Sequence, residues 1–395
     1  MAEKIRQAVI LAAGEGQRLR PFTALKPKVM IRVAHKPILQ YVVEALARNG
    51  IFDITIIVGY RKEQVMDFFG AGEQFGVRIN YLRQEQQLGT AHALKQAKEL
   101  AEESFLVLSG DNIIEPDTIT QIVGAKTNAI LIKDQEDVSK YGVVEVRGGR
   151  VTDIVEKPKE VGNHLVNTGI YAFTREIFRF IEQEVDLPAV LKDMITQGYD
   201  IIAQKAQGTW LDAVFPWDIL RLNDIALQRM TPSLGGTIEN GVTVKGLVSV
   251  GDGTIIRANS YIVGPVIIGE NCEIGPSVCV LPSTSIGDNV VISPFTQIKN
   301  SVINNNVEIG ASSIIEDSVI DQGSIFKGHF TALSGEAEVE IEGEYHKPVC
   351  GAMIGEYCHI EDSVVTYPGV ILGNHCRVKA MKQLQGKIPE GSLVM

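Results

Sequence analysis

A glycine-rich turn follows the first apolar run of the chain and is a candidate for phosphate chemistry. Residues 8–12 form an apolar run of strand length, which leads into Gly14-Glu-Gly16. Because glycine lacks a side chain that would hold an anion away from backbone N–H groups, such a turn can bind phosphate. The pattern matches neither the P-loop nor the dinucleotide fingerprint, so an ordinary tight turn is an equal alternative. The positive charges of Arg18 and Lys28 favour a triphosphate site.

A carboxylate follows a second apolar run. Residues 105–109 form an apolar run that is followed directly by Gly110-Asp111. A second aspartate, Asp212, ends a Thr-Trp-Leu-Asp stretch much later in the chain. An Asp at a strand end suits Mg²⁺, which takes one or two protein carboxylates and completes its shell with phosphate oxygens and water. The alternative for Asp111 is a helix cap or a turn former.

Residues 84–92, Gln-Glu-Gln-Gln-Leu-Gly-Thr-Ala-His, are a further polar segment. On propensity alone they form a loop leading into a helix over 90–100, with Thr90 as its N-cap and His92 inside it. The Gln84 amide together with the backbone around Gly89 could also read the edge of a pyrimidine base.

Apolar strands alternate with helical patterns up to about residue 229, and this alternation predicts a mostly parallel sheet with helices on both faces. In such a sheet, ligands bind beyond the carboxyl ends of the strands, where Gly14, Gly110 and Asp111 fall. The predicted strands cover 8–12, 53–58, 78–81, 105–109, 129–132, 142–146, 151–156 and 167–173, and the predicted helices 38–49, 62–69, 90–100, 175–182 and 188–197. Residues 1–229 form the predicted first domain and 230–237 a linker.

Residues 238–395 follow a different period. Every sixth residue from Ile238 to Ile298 is aliphatic, which predicts a β-helix of hexapeptide repeats. The period slips near Ile303 and resumes at Ile354. The charged stretch 336–347 between these positions predicts a protruding loop.

Composition limits the partners of the chain. Its 395 residues are 45% hydrophobic and 22% charged, with a formal net charge of -11. We expect a cytoplasmic protein with no nucleic-acid partner and no membrane span. Five scattered cysteines without a C-x-x-C pair predict reduced packing residues.

Residues 11–21 together with Lys26-Pro-Lys28 resemble the opening of the sugar-1-phosphate nucleotidylyltransferases. The layout of the whole chain is similar to that of the archaeal two-domain members and of bifunctional N-acetylglucosamine-1-phosphate uridylyltransferases. This resemblance implies a Rossmann-like α/β nucleotidyltransferase domain with a mostly parallel mixed sheet, a left-handed parallel β-helix, and a homotrimer.

The resemblance also implies site residues. Arg18 and Lys28 would be catalytic, and Asp111 with Asp212 would hold Mg²⁺. The nucleotide would contact Leu11, Ala12, Ala13, Gly14, Gly16, Gln84, Gly89, Thr90 and Gly110. The sugar phosphate would contact Gly142, Glu156, Lys157, Asn167 and Thr168. Relatives tend to have a glycine near Val214, so the loop around Asp212 departs from the pattern.

The implied reaction joins a nucleoside triphosphate and a sugar-1-phosphate, giving a nucleotide sugar and pyrophosphate. UTP and dTTP stay open, as do glucose-1-phosphate and N-acetylglucosamine-1-phosphate. Two alternatives are a bifunctional enzyme that also acetylates an amino sugar phosphate and a non-catalytic regulatory subunit. Against acetylation, Ala311 stands where the archaeal bifunctional enzymes carry a histidine and Ile314 where they carry a tyrosine. His329 is expected to be a turn residue.

Overall fold

The structure is a computed structural model that describes residues 4–135, 141–156, 164–182 and 184–395. Its contacts divide the chain into two compact units. The first unit contains Lys26–Met30, Pro37–Asp212 and the residues before Gly16. The second contains Gly16–Leu25, Ile31–Lys36 and Ala213–Met395. The turn after the first strand is therefore shared between the units, which the linear boundary at residue 229 does not anticipate.

Strands and helices alternate up to residue 227, as the sequence predicts. The strands are β1 (Gln7–Ala12), β2 (Arg32–Val33), β3 (Lys36–Pro37), β4 (Asp53–Val58), β5 (Arg78–Arg83), β6 (Ser104–Ser109), β7 (Asn112–Ile114), β8 (Ala129–Gln135), β9 (Gly142–Arg147), β10 (Arg150–Glu156), β11 (His164–Thr174), β12 (Ile202–Lys205) and β13 (Trp210–Asp212). The α-helices are α1 (Ile38–Arg48), α2 (Lys62–Phe69), α3 (Thr90–Lys95), α4 (Pro116–Ile119), α5 (Leu187–Thr196) and α6 (Asp218–Leu227). Two predicted helices are shorter than expected: α3 ends at Lys95, and Arg175–Arg179 is a 3-10 helix.

Nine strands form the main sheet in the order β5-β4-β1-β6-β11-β8-β12-β10-β9. The strands β5, β4, β1 and β6 are parallel neighbours, but β11 runs antiparallel to both β6 and β8. The sheet is thus less parallel than predicted. The reason is the stretch from 142 to 174, where β9 and β10 are joined by Gly148-Gly149, both with positive φ. A two-residue turn makes an antiparallel hairpin, whereas parallel neighbours need a long crossover.

Helices cover both faces of this sheet, because successive strand residues point to opposite sides. On β6, Leu106 and Leu108 join the core that contains the apolar side of α1, whereas Phe105 and Val107 join the core that contains α5. All four of these side chains are fully buried, so a layer of helices must cover each face of the sheet. The prediction of helices on both faces is confirmed.

The second half of the chain forms three parallel sheets, and consecutive strands pass from one sheet to the next in rotation. This is the strand order of a parallel β-helix. The first sheet contains Ser233–Leu234, Val248–Val250, Val266–Ile268, Thr284–Ile286, Val302–Ile303, Val319–Ile320, Met353–Ile354, Ile371–Leu372 and Lys387–Ile388. The second contains Thr237–Ile238, Ile255–Ile256, Glu273–Ile274, Val291–Ile292, Glu308–Ile309, Ile325–Phe326, His359–Ile360, Arg377–Val378 and Leu393–Val394. The third contains Thr243–Lys245, Tyr261–Val263, Cys279–Val280, Gln297–Lys299, Ile314–Glu316, Thr331–Ala332, Val365–Thr366 and Gln383–Leu384.

The aliphatic period is explained by this stacking. Ile256 pairs with Ile274, and Ile274 pairs with Ile292, so residues eighteen apart lie one above another. These side chains are fully buried in one continuous core. All five cysteines are free thiols, and four of them are buried, which confirms that they are packing residues.

The stretch predicted as a protruding loop is a pair of nested antiparallel ladders. Gly335–Glu336 pairs with Val349–Cys350, and Val339–Ile341 pairs with Glu344–His346. We call residues 335–350 the insertion hairpin. The charged composition of this stretch led to the prediction of a loop. The structure shows strands instead, and Val339 and Ile341 alternate with an exposed polar residue, as in a half-buried strand.

The first sheet is covered within the second unit by α6. The buried Asn223 side chain accepts from the Ala34 N–H at 3.0 Å and from the Ser285 hydroxyl at 2.9 Å, and donates to the Ser283 carbonyl at 3.0 Å. A buried amide with three hydrogen-bond partners favours one register of α6 on the sheet, since each lost partner would leave an unsatisfied polar group.

Two buried threonines of the β-helix allow a matched stability test. The Thr366 hydroxyl is buried and has no hydrogen-bond partner among the described residues. The Thr254 hydroxyl, equally buried, donates to the Gly269 carbonyl at 2.6 Å and accepts from the Cys272 N–H at 2.9 Å. Thr366→Val should raise the thermal midpoint by about 1–3 °C, because it removes an unsatisfied polar group, and Thr254→Val should lower it. Scanning calorimetry measures both, and a lowered midpoint for Thr366→Val would contradict the assignment.

Candidate active site

Two carboxylates from distant parts of the first unit meet on one ammonium group. The Nζ atom of Lys28 lies 2.5 Å from Oδ2 of Asp111 and 3.1 Å from Oδ1 of Asp212. Only 15% of the Lys28 side chain is exposed, against 25% and 19% for the two aspartates. The second oxygen of Asp111 accepts a 2.5 Å hydrogen bond from the Ser109 hydroxyl. The three predicted residues Lys28, Asp111 and Asp212 therefore form one cluster.

A small antiparallel ladder brings the two aspartates together. β6 ends at Ser109, and the Gly110 N–H donates to the Leu11 carbonyl of β1 at 2.9 Å. After Asp111 the chain enters β7, whose Asn112 pairs directly with Asp212 at the end of β13. Asp212 therefore lies on β13 opposite Asn112, and Asp111 lies in the turn immediately before that paired residue. Three-residue strands such as these give too short a periodic signal for the sequence to predict.

Charge stabilises this cluster in spite of its burial. Burial by itself lowers the pKa of Lys28, but the negative charges of Asp111 and Asp212 outweigh it and raise that pKa well above its ordinary value. Burial tends to raise the pKa of Asp111, and the Lys28 charge together with the hydrogen bonds from Lys28 and Ser109 holds it below its usual range. Lys28 and Asp111 are therefore both ionised near neutral pH.

The donor set of this cluster suits a magnesium ion that brings most of its ligands with it. Among the described residues no group of three or more His, Cys, Asp or Glu side chains could enclose a metal. Mg²⁺ does not need one, since it is commonly bound through one or two carboxylates plus phosphate oxygens and water. Asp111 and Asp212 already direct one oxygen each at a single cationic centre, so the residues fit such an ion.

Three glycines lie just after strands of the main sheet: Gly59 and Gly110 directly follow β4 and β6, and Gly14 follows β1 after one intervening residue. A Cβ atom at Gly59 would lie 2.8 Å from the Ala13 carbonyl oxygen, and one at Gly110 would lie 3.1 Å from Ile10 Cγ2. Packing therefore favours glycine at these two positions. A Cβ at Gly14 would meet no atom within 4 Å, so packing in the described structure does not account for this glycine.

Gly59 was missed in the sequence, although the same pattern of strand followed by glycine could have found it. Gln87 was missed as well. Its side-chain amide donates to the Ala13 carbonyl at 2.8 Å. Of the predicted nucleotide-binding residues Leu11, Ala12 and Ala13, the last is thus held through its carbonyl by Gln87 and packed closely by Gly59.

Arg18 lies in a short 3-10 helix, Gln17–Leu19, which begins after Gly16 in the left-handed conformation at φ 73°. It belongs to the second unit, whereas Lys28 belongs to the first. Its guanidinium Nε lies 2.5 Å from Oε2 of Glu342, at the tip of the insertion hairpin. The sequence contained no signal for this contact, which joins residues 324 positions apart.

The predicted base-reading loop is ordered by its own contacts. Gln84 is buried, and its amide nitrogen lies 3.0 Å from both the Gly89 carbonyl and His92 Nδ1. Gly89, not Thr90, is the N-cap of α3, so that expectation was wrong. Thr90 instead exchanges hydrogen bonds with the start of α5, because its N–H donates to Asp186 and its hydroxyl accepts from Leu187 N–H. His92 lies inside α3, as predicted.

The predicted sugar-phosphate residues fall on the antiparallel half of the sheet. Gly142 of β9 pairs with Glu156 of β10, and Val143 beside it pairs with Val166, next to Asn167. The Asn167 amide donates to the Tyr171 hydroxyl at 2.8 Å. The fold thus brings the backbones of Gly142, Glu156 and Asn167 together. Lys157 lies outside the described residues.

Thr168 connects this group to the metal-site strand. Its side chain is buried and donates to the Leu131 carbonyl at 2.6 Å, while its own carbonyl accepts from the Trp210 indole N–H at 2.9 Å. Trp210 begins β13, which ends at Asp212. The Thr168 hydroxyl is hydrogen-bonded to the backbone and its carbonyl helps to position β13, while its contact with the sugar phosphate stays a prediction.

The comparisons with known proteins agree with this fold. The family model of the nucleotidyl transferases matches residues 7–223, and the model of the GMPPB C-terminal domain matches residues 262–388. The chain belongs to the nucleotidyl transferase family. It is a transferase by that membership.

Several relatives are named enzymes. The bifunctional protein GlmU of Methanococcus maripaludis is 33% identical over 98% of this chain and 96% of its own length. The glucose-1-phosphate thymidylyltransferase of Streptomyces antibioticus is 36% identical over 69% of this chain and 80% of its own. A solved UDP-glucose pyrophosphorylase with UDP-glucose superposes with a TM-score of 0.52 at 25% identity, covering 57% of this chain and 100% of that one. Among the helices of the described residues, none is long and apolar enough to cross a membrane.

The ion-pair cluster predicts a pH-dependent stability difference. Lys28→Met leaves Asp111 and Asp212 facing each other without a cation, which should lower the free energy of unfolding at pH 7 by on the order of 2 kcal/mol. The depressed pKa of Asp111 means that the pair stabilises the wild type fully above the unfolded pKa and loses this effect as pH falls through the lower folded pKa. The gap between variant and wild type should therefore stay constant near neutral pH and narrow from about pH 5 to pH 2, around and below the ordinary Asp value of 3.8.

Chemical denaturation at several pH values measures this gap. The control is Lys192→Met, which removes an exposed partner of Asp153 at 3.0 Å and should cost little at any pH. A gap for Lys28→Met that stays constant over this pH range would show that the carboxylates are not its cause.

Proposed function

We propose that this protein is a sugar-1-phosphate nucleotidylyltransferase, which transfers the nucleotidyl group of a nucleoside triphosphate to a sugar-1-phosphate and releases pyrophosphate. The observation that carries the proposal is the convergence of Lys28, Asp111 and Asp212 beside a turn whose Gly14 is not required by packing. The names of the relatives support the substrate class. UTP or dTTP is the proposed nucleotide, with glucose-1-phosphate or N-acetylglucosamine-1-phosphate as acceptor.

The reaction needs positioning and charge neutralisation more than acid-base chemistry. The phosphate oxygen of a sugar-1-phosphate is already anionic near pH 7, so it can attack the α-phosphorus in line without a general base. Lys28 keeps its proton because its pKa is raised, and it serves as a fixed positive charge near the transferred group. Backbone N–H groups around Gly14 and the Arg18 guanidinium would hold the departing phosphates.

Magnesium is the proposed cofactor, held by Asp111 and Asp212. When bound, the ion would neutralise charge on the phosphates. The aspartates are held in place for this role by the β7 and β13 pairing and by the Ser109 hydrogen bond. Lys28 carries three N–H donors beside these carboxylates, and with them it would bind phosphate oxygens.

The remaining residues of the proposed site would contact the base and the sugar phosphate. Gln84, Gly89 and the backbone near Thr90 would contact the base, and the Gln84 carbonyl oxygen is the acceptor left after its amide nitrogen is used. Gly142, Glu156, Lys157 and Asn167 would contact the sugar phosphate.

A pyrophosphate-release assay tests the activity. The protein is incubated with Mg²⁺, each of four nucleoside triphosphates and several sugar-1-phosphates, and release is measured with a coupled enzyme. One nucleotide and sugar pair should give turnover well above the others. Release with no pair at all would contradict the proposed function.

Asp111→Asn should lower kcat in this assay by on the order of a hundredfold, since it removes a charge opposite the metal. The matched control is Asp53→Asn, on an exposed ion pair with Arg78 in the same sheet, which should leave kcat unchanged. Undiminished turnover in Asp111→Asn would remove that residue from the metal site.

We infer that the β-helix is left-handed, is built of hexapeptide units and forms a homotrimer through its third sheet. The three sheets have different outer faces. The first is covered by α6, and the second carries ion pairs such as Arg257 with Glu239 and Glu273, each at 2.9 Å. The third exposes Tyr261, Ile314 and Tyr367 with exposed fractions of 38%, 44% and 36%. Exposed apolar side chains on one sheet favour an interface between copies.

Light scattering should give a mass of three times the 43.1 kDa chain at micromolar concentration. Ile314→Glu should lower it, because the charge would be buried in the interface. Val291→Glu is the matched control on the second sheet, where the native side chain is 40% exposed. A monomeric mass for the unmodified protein would contradict the trimer.

Acetylation is the second candidate function, because relatives over nearly the whole chain are named bifunctional GlmU. We propose that it is absent here. Ala311 and Ile314 cannot accept a proton, and His329 is an exposed turn residue at φ 58° that lies one coil above Ala311. Release of free CoA from acetyl-CoA with glucosamine-1-phosphate at catalytic rates, abolished by His329→Ala, would overturn this.

A further inference from the structure

The insertion hairpin is a rigid element and not a loose appendage. Its base is closed by the ladder between Gly335–Glu336 and Val349–Cys350. Gly369 of the next coil, at φ 75°, lies directly beneath it, and a Cβ there would come within 2.9 Å of Val339 Cγ2. Val339 and Ile341 are 5% and 8% exposed, so one side of the hairpin is packed.

Aromatic contacts fix the returning strand of the hairpin. The His346 ring lies 4.2 Å from the Phe215 ring and 6.0 Å from the Trp217 ring, measured between centroids. Phe215 and Trp217 are stacked at 5.1 Å, and they follow Asp212 in the chain by three and five residues. The hairpin is therefore held at its base and along its side, and its tip has a defined position.

The tip carries a residue that the turn itself does not favour. Ile341 pairs with Glu344, so the turn consists of Glu342 and Gly343 alone, with φ of 52° and 83°. Two consecutive positive φ values define a type I′ turn, for which Asn-Gly is the preferred sequence. A glutamate at the first position costs conformational energy that asparagine would avoid. Its longer side chain, however, reaches Arg18.

The contact with Arg18 occupies only one part of the guanidinium. Oε2 of Glu342 accepts from Nε at 2.5 Å, and within the described part of the chain this is the one hydrogen bond of the Arg18 side chain. The end-on fork of the two terminal nitrogens, which suits phosphate oxygens, is not used by this contact. Both side chains are nearly half exposed, at 44% and 46%.

We propose that Glu342 is a positioning residue for Arg18: the insertion hairpin holds the guanidinium by its Nε so that the terminal nitrogens are presented to the phosphates of the leaving pyrophosphate. This inference rests on the proposed role of Arg18 in phosphate binding. Holding an arginine in one rotamer before the ligand arrives reduces the entropy lost on binding. Both residues belong to the second unit, so the hairpin orients Arg18 within that unit although the two lie 324 positions apart in the sequence.

The test is a double-mutant cycle on binding of inorganic pyrophosphate in the presence of Mg²⁺, measured by titration calorimetry. Glu342→Asn keeps or strengthens the turn but shortens the side chain, so folding and thermal midpoint should be preserved. Its affinity for pyrophosphate should fall by about two- to fivefold, the range expected for an exposed ion pair. In an Arg18→Ala background, Glu342→Asn should have no further effect, because the two residues act through each other.

Two further variants sharpen the result. Glu342→Gln retains the length and a carbonyl acceptor, so it should bind pyrophosphate more tightly than Glu342→Asn. Glu344→Gln removes a neighbouring exposed charge from the same hairpin and should bind as the wild type does, which separates orientation of Arg18 from a general charge effect.

Unchanged or tighter pyrophosphate binding by Glu342→Asn would overturn the proposal. That result is expected if the Glu342 carboxylate only competes with phosphate for Arg18. The proposal would also be overturned if Glu342→Asn lowered pyrophosphate affinity equally with and without Arg18. No measurable pyrophosphate binding by the unmodified protein would overturn it as well. Binding does not require turnover. A protein that shows the cycle but transfers no nucleotide would therefore contradict the proposed function and leave the role of Glu342 intact.

Discussion

The site depends on one electrostatic arrangement, in which the Lys28 ammonium lies between the carboxylates of Asp111 and Asp212. Two partly buried carboxylates cannot both stay ionised at short range without a cation, because their repulsion and their lost hydration would raise one pKa. Lys28 removes that cost in the absence of ligand. In the proposed function, the two aspartates would hold a divalent ion and the lysine would bind a phosphate.

Several structural features exist to maintain this arrangement. The β7 and β13 ladder sets the spacing of the two aspartates, and the indole of Trp210 ties β13 to the Thr168 carbonyl. Gly110 allows the turn before Asp111 to approach β1, where a side chain would crowd Ile10. The rigidity of the site thus comes from backbone pairing on strands, which positions side chains more precisely than a loop does.

The β-helix has outer faces of different chemistry on a single repeating core. One is covered by α6 through Asn223, one carries the ion pairs of Arg257, and one exposes Tyr261, Ile314 and Tyr367. The insertion hairpin departs from this regular stack and reaches Arg18. A repeating scaffold tolerates such an insertion because each coil contacts mainly its neighbours, so an excursion between two coils leaves the stack intact.

The sequence by itself determined the elements whose signal is local. Period-two and helical patterns predicted strands such as Asp53–Val58 and helices such as Lys62–Phe69, and the regular aliphatic spacing predicted the stacked core of the second half. Only the tertiary structure decided the antiparallel half of the main sheet, the β7 and β13 ladder, and the contact between Arg18 and Glu342. These depend on pairings between residues as much as 324 positions apart, and such pairings leave no periodic trace in the chain. The residue types in the sequence were therefore enough to predict the chemistry of the candidate site. The distances and contacts within the site are set by the folded structure.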